Sequence, residues 1–361
     1  MATTITSKTF EDGYYIPTYR IGSIKGTTDK TSITAKLSCE QGLNGNIETF
    51  FSTTLYAFSG NVELADVGRL IEEYFRLRNY ASSTITIEFD DVSMDIHCIY
   101  CECDLGVDFY PQKSLFSMLD VQRVHADSAI TFACRNTGSN NFAVKMVGHK
   151  ADGSLGVLEG TFTRTFTRES ATISVSSVIA YATNSSNYEV GDDELVDVLY
   201  FSVSYGDLQK VYYIMKDPEY LTFNFTNMFN IPEYLDVVGK VKTKTEVSRD
   251  TAVCLGVSVQ YNQETTRSYE VETAPMTDAE ARSFFQLLAS RDIYIVANGD
   301  EFQVLVTDLT CEHSNDPDSL PTVKFTWRFA DRRPALFGGD IAAMLYTKGN
   351  IFTEQYSIEF D

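Results

Sequence analysis

The chain has 361 residues, 43 % of them hydrophobic and 13 % aromatic, and a net charge of −21. That length exceeds one ordinary domain and suits two or three, each with its own core. With 29 Lys and Arg against 50 Asp and Glu, the balance excludes a cationic grip on duplex nucleic acid and docking on an anionic membrane.

Phe and Tyr, at 24 and 21, dominate the aromatics over a single Trp, and with abundant Thr, Val and Ser they favour β structure. The opening "MATTITSKTFEDGYYIPTYR" has neither the basic nor the apolar region of a signal peptide, and no apolar run is long enough to span a bilayer. Seven cysteines, an odd number, point to reduced thiols in a cytoplasm-like compartment.

In chain order, "SITAKLSCEQ" and "IETFFSTTLYAFSG" alternate as strands around a "GLNGN" turn. "VELADVGRLIEEYFRLRN" follows as a helix, its apolar stripe made by Val67, Leu70, Ile71, Tyr74 and Phe75 at helical spacing. "STITIEFD" and "VSMDIHCIYCECDL" then form a pair joined by an Asp90-Asp91 turn. From about Ala126 to Asp217 short alternating runs, "ATISVSSVIAYA" among them, predict a β-sandwich without a helix. "KADGSLG" and "SYGDLQ" are hairpin turns within it.

Past "KDPEY" the first style returns. "VCLGVSVQYN" and "TTRSYEVETA" read as strands, and "PMTDAEARSFFQLLAS" as a helix with Thr277 and Glu280 spaced as a capping box. Ala281, Phe284, Phe285 and Leu288 form its packing side. A hairpin turning at Asn298-Gly299 and a last strand, "TVKFTWRFADRRP", close the unit. The fold class is thus mainly β, all-β apart from two single helices: two β-barrel or sandwich units, 1–125 and 219–361, flank a middle β-sandwich, 126–218.

The densest chemistry is "IHCIYCECD", Ile96 to Asp104. On a strand Cys98 and Cys101 face opposite sides, whereas a zinc knuckle needs both thiolates in one tight turn, with further ligands to complete four. A shift of 210 lays Cys101 on Cys311, Glu102 on Glu312, Tyr74-Phe75 on Phe284-Phe285, Ile85 on Ile295 and Met94 on Val304. That pattern reads as an internal duplication, predicting that residues 49–103 and 268–313 are copies of one fold. The cysteines are read as buried strand residues.

His97, His125, His149 and His313 sit in no local nucleophile signature, and no phosphate-cradling glycine loop occurs. The acid clusters "GDDELVD" and "NDPDS" lack EF-hand spacing. "FNFTNMFNIPEYL" reads as a junction strand and turn in preference to an aromatic sugar platform. No catalytic, cofactor-binding or metal residue is expected, nor a cofactor, nor an enzyme.

"FTNMFNIPEYLDVVGKV", "SYEVETAPMTDAEARSFFQLLAS" and the "CEHS" and "VKFTWRFADRRP" stretches resemble proteins of tailed phages and prophages of the Bacteroidetes group, in the class of tail tube, distal-tail and baseplate hub proteins. The resemblance spans about Leu221 to Pro334, and the first 220 residues share it only at the level of fold. It implies a virion structural protein assembled in the host bacterial cytoplasm, a homo-oligomeric ring (trimer or hexamer), and neighbouring tail proteins as partners. It also implies a channel that DNA traverses without specific binding, and no membrane partner. An acidic lumen would keep phosphate from sticking. The rival reading is a carbohydrate- or receptor-binding adhesin of a virion or cell surface; a cell-wall hydrolase lacks its acid–base residues.

Overall fold

The computed structural model describes residues 3–7, 15–41, 46–102, 117, 120–133, 138–166, 170–183, 195–205, 208–216, 220–297, 300–312 and 320–331. Strands hold 67 % and helices 12 % of the structure, so the fold is mainly β, and among the described residues no sheet closes into a barrel.

The first unit has two layers. One is a five-stranded sheet in the order β2–β8–β7–β4–β5, built from β2 (Tyr15–Pro17), β4 (Ser32–Gln41), β5 (Asn46–Tyr56), β7 (Ser82–Phe89) and β8 (Val92–Ile99). The other combines β1 (Thr4–Ser7), β3 (Ile24–Thr27) and β6 (Asn61–Leu64) with α1 (Val67–Arg78). Alternation in β4 and β7 sends Ile33, Ala35, Leu37, Ile85, Ile87 and Phe89 inward. They meet Val67, Ile71, Tyr74 and Phe75 of α1, while Leu70 packs half-buried on the same core. Gly68 lets the first turn of α1 approach the 3-10 turn Thr18–Arg20, since a Cβ there would lie 2.3 Å from the Thr18 carbonyl oxygen.

In the middle unit the sheet order is β12–β11–β14–β15–β9, from β9 (Val121–His125), β11 (Gly138–Lys150), β12 (Leu155–Phe166), β14 (Leu195–Tyr205) and β15 (Leu208–Met215). A ribbon of β10 (Ala129–Ala133) and β13 (Ser170–Ser174) packs against it together with α2 (Val175–Thr183). Two expectations are corrected here. The run "VSSVIAYAT", expected as strand, is a helix, because Val175 and Val178 lie on one side at helical spacing and both are buried. Strand β9, assigned above to the first unit, is instead a parallel edge strand of the middle sheet.

The third unit is one seven-stranded sheet, β17–β16–β20–β21–β22–β19–β18, with α3 (Asp278–Ala289) against it. Its strands are β16 (Leu221–Thr226), β17 (Pro232–Val237), β18 (Gly239–Cys254), β19 (Val257–Thr273), β20 (Ile293–Ala297), β21 (Asp300–Glu312) and β22 (Thr322–Phe329). The Thr277 hydroxyl accepts from the Glu280 amide, and the Glu280 carboxylate accepts from the Thr277 amide, so the capping box forms. Ala281, Phe284 and Leu287 are buried and Leu288 packs beside them. Phe285 is 41 % exposed; it sits one residue past the buried 281–284–287 line, and Leu287 takes the place expected of it.

The duplication holds in part. The orders β5–β4–β7–β8 and β17–β16–β20–β21 agree, all antiparallel, with a helix before the second hairpin in each. Ile85 pairs with Ile96, yet Ile295 pairs with Phe302 and not with Val306, because the second hairpin turns two residues earlier. The shift also equates β5 with β19, which have different neighbours. The expected equivalence of 49–103 with 268–313 therefore fails before the helix.

These cores set a stability test. Leu287→Ala should cost about 2–5 kcal/mol, while Phe285→Ala should cost less than about 1 kcal/mol, as half-exposed side chains do. Urea denaturation of the two variants reads the difference.

Candidate functional site

The cysteine-rich stretch is structural. Strand β8 ends at Ile99, and Cys98 and Cys101 are both fully buried in different clusters. Burial pushes the Cys98 thiol well above its ordinary value, as it does, less strongly, for Cys39, so neither is a ready thiolate. The Cys101 amide donates to the Thr18 hydroxyl at 3.1 Å. Among the described residues no group of three or more His, Cys, Asp or Glu is placed to hold a metal. Cys103, His313, the "NDPDS" loop and most of "GDDELVD" lie outside the described residues. His97 stacks on Tyr15, and His149 lies 3.8 Å from Asp197.

His125, Ser128 and Asp236 resemble a triad in composition only. Ser128 Oγ donates to Asp236 Oδ2 at 2.6 Å, the His125 amide to the same oxygen at 2.8 Å, and His125 Nδ1 lies 3.2 Å from it. Thr222 Oγ1 donates to Asp236 Oδ1 at 2.7 Å. The carboxylate sits at the centre, and the hydroxyl addresses it instead of the imidazole. A nucleophile needs its base as hydrogen-bond partner; here the cluster holds two units together.

Other side chains make the same connection. Lys210 on β15 and Glu233 on β17 form a buried ion pair at 3.3 Å, with Ser117 accepting from the lysine at 2.7 Å. Arg123 on β9 clasps Glu280 of the capping box at 2.5 and 3.1 Å. Gln122 donates to the Tyr234 carbonyl. Burial, and then the charge of Glu301, pushes the Tyr234 hydroxyl up to about 12, so it stays a donor.

Toward the first unit, the turn between β16 and β17 does the work. Asn227 folds it, its side-chain oxygen accepting from the amides of Phe229 and Ile231. Asn230, at φ 59°, donates to the carbonyls of Phe75 and Tyr80 at 3.0 Å each, adding a bond from another unit to the Phe75 carbonyl that the Tyr80 amide already holds. Phe229 and Ile231 are buried with Ala81, Ile99, Cys101 and Ala133 in a cluster drawn from all three units. The "FNFTNMFNIPEYL" stretch is thus a junction, with Phe223, Phe225 and Phe229 in the core and Tyr234 half-buried.

Opposite in character is the β18–β19 hairpin. Residues 242–265, 24 consecutive positions, are all exposed. Val253, Leu255, Val257 and Tyr261 are among the most exposed apolar side chains, and Leu255 is completely so. Its two-residue loop places Leu255 and Gly256 at φ 53° and 81°. Such a loop asks for Asn-Gly, and a branched apolar residue is strained there. The sequence reading ran one strand through this turn because "LG" is no turn signal. No family model matches the chain, and no curated protein matches it.

Two measurements follow. Lys210→Met should cost about 3–5 kcal/mol, because it leaves Glu233 buried and without its counter-charge; Asn230→Ala should cost about 0.5–1.5 kcal/mol, because the Phe75 carbonyl keeps its bond from the Tyr80 amide. Both are read from chemical denaturation. In native protein, alkylation mapped by mass spectrometry should label Cys254 and spare Cys39, Cys98 and Cys101 until unfolding.

Proposed function

We propose that this protein is a structural component of a phage tail, at the tail tip, distal tail or baseplate hub, forming a ring around the tail channel in the virion. The observation that carries this reading is the β18–β19 arm. A two-stranded ribbon exposed on both faces is marginal in water, and an apolar, strained tip gains stability only when something covers it. Assembly supplies such a cover. The acidic charge and the junction of three β units into one body fit a part that is stacked and not turned over in catalysis.

A second reading, a carbohydrate-binding adhesin, draws on Tyr200 and Tyr213, a cross-strand aromatic pair of the middle sheet with ring centroids 5.6 Å apart. Stacking on a sugar ring would use such a pair. The arm has no role in it.

Size-exclusion chromatography with light scattering separates the two. The tail reading expects discrete trimers or hexamers at high concentration, visible as rings by negative-stain microscopy. The assembled fraction should rise from low salt to about 0.15 M, where screening to about 8 Å relieves repulsion between chains of charge −21. A strict monomer that binds glycans, and loses them on Tyr213→Ala, would replace this reading with the adhesin.

A further inference from the structure

The arm's two faces change character along its length. One side carries Lys240, Lys242 and Lys244, opposite Glu272, Glu270 and Ser268. The ladder slips by one residue between Asp250 and Thr251. Beyond that slip the same side carries Ala252 opposite Val259 and Cys254 opposite Val257. From Thr251 to Gln260 no residue is charged.

A receptor of matching chemistry lies on the first unit. Between α1 and strands β5 and β6 runs an open groove of about 490 Å³. Half-buried Phe51 and Leu70 line it with apolar surface over buried Leu64, and Asp66, Arg69 and Glu73, the last paired with Arg76 at 2.7 Å, line it with charge.

We infer that the arm tip of one copy seats in this groove on a second copy. The inference rests on the ring reading above and names the contact that closes the ring. Arm and groove belong to different units, so the contact is head-to-tail, the kind that generates rings when the rotation closes. Chains of charge −21 repel one another, which leaves uncharged surface to make contact, and the tip is uncharged over ten positions. Arg249 and Asp250, flanking that run, find opposite charges for both signs in Glu73, Asp66 and Arg69.

A thiol probe tests it. Ala65 lines the groove and is exposed, so Ala65→Cys places a thiol there within reach of native Cys254 when the arm is seated. Treating the full-length variant at assembling concentration with a short bis-maleimide should give interchain ladders on denaturing gels. Those ladders should vanish when Cys254→Ser is added. In parallel, Leu255→Asn should weaken association at least tenfold while leaving the melting temperature of the dilute chain equal or higher, since Asn accepts the positive φ. If light scattering shows assembly but no Cys254-dependent ladder forms, the groove assignment is overturned and the ring reading stands; the tip then seats on another protein or on residues 332–361. A crosslink within one chain, or unchanged association of Leu255→Asn, overturns it equally. A chain monomeric at every concentration overturns both.

Discussion

Everything in this molecule depends on the hairpin of β16 and β17. Its edge strand presents Glu233, Tyr234 and Asp236 to the middle unit, and its turn delivers Phe229, Asn230 and Ile231 to the first. Hydrophobic burial alone would let three β units rotate against one another, because apolar contact has no direction. Directed hydrogen bonds to a buried carboxylate, a buried ion pair and two helix-terminal carbonyls fix one arrangement. Such groups add little net stability while satisfied and cost heavily when one partner is lost. The junction therefore sets orientation more than it adds free energy.

A rigid body of this kind gives meaning to the arm, which stands exposed among the described residues. Strands β18 and β19 are anchored in the third sheet at their base, where Val271 pairs with Phe325 and Tyr269 stacks on Trp327 at 4.2 Å. Farther out the same ladder continues with every side chain from 242 to 265 exposed among the described residues. An edge strand this long invites pairing with another molecule unless charge discourages it. The Lys and Glu pairs at the base supply that discouragement, and the uncharged tip withdraws it. Repulsion between acidic chains then admits contact at one place and opposes it elsewhere.

Much of the architecture was legible in the sequence, for physical reasons. Helix α3 announced itself through its capping box, and β7–β8 through strict alternation, both local signals. The junction was half legible: Ile231-Pro232 marked a break, while nothing local could say that Asn230 caps a helix 150 residues away. Tyr74 and Phe75 are both buried in α1, and the sequence shift carries that pattern to α3, where the buried line runs through Ala281, Phe284 and Leu287 and leaves Phe285 41 % exposed. The arm is not legible in the sequence because its Leu-Gly turn at positive φ carries none of the Asn, Asp or double-Gly signals of a two-residue hairpin loop. Helix α2 was hidden by β-branched residues, whose propensity yielded to tertiary packing.

Hydrogen exchange read by mass spectrometry tests the account at its centre, comparing one preparation dilute and concentrated. The account predicts that residues 227–237 exchange as slowly as the three cores at both concentrations. It predicts that residues 242–265 exchange rapidly when dilute and become protected on concentration. Rapid exchange at 227–237 would contradict the fixed junction, and an arm whose exchange ignores concentration would contradict its role in assembly.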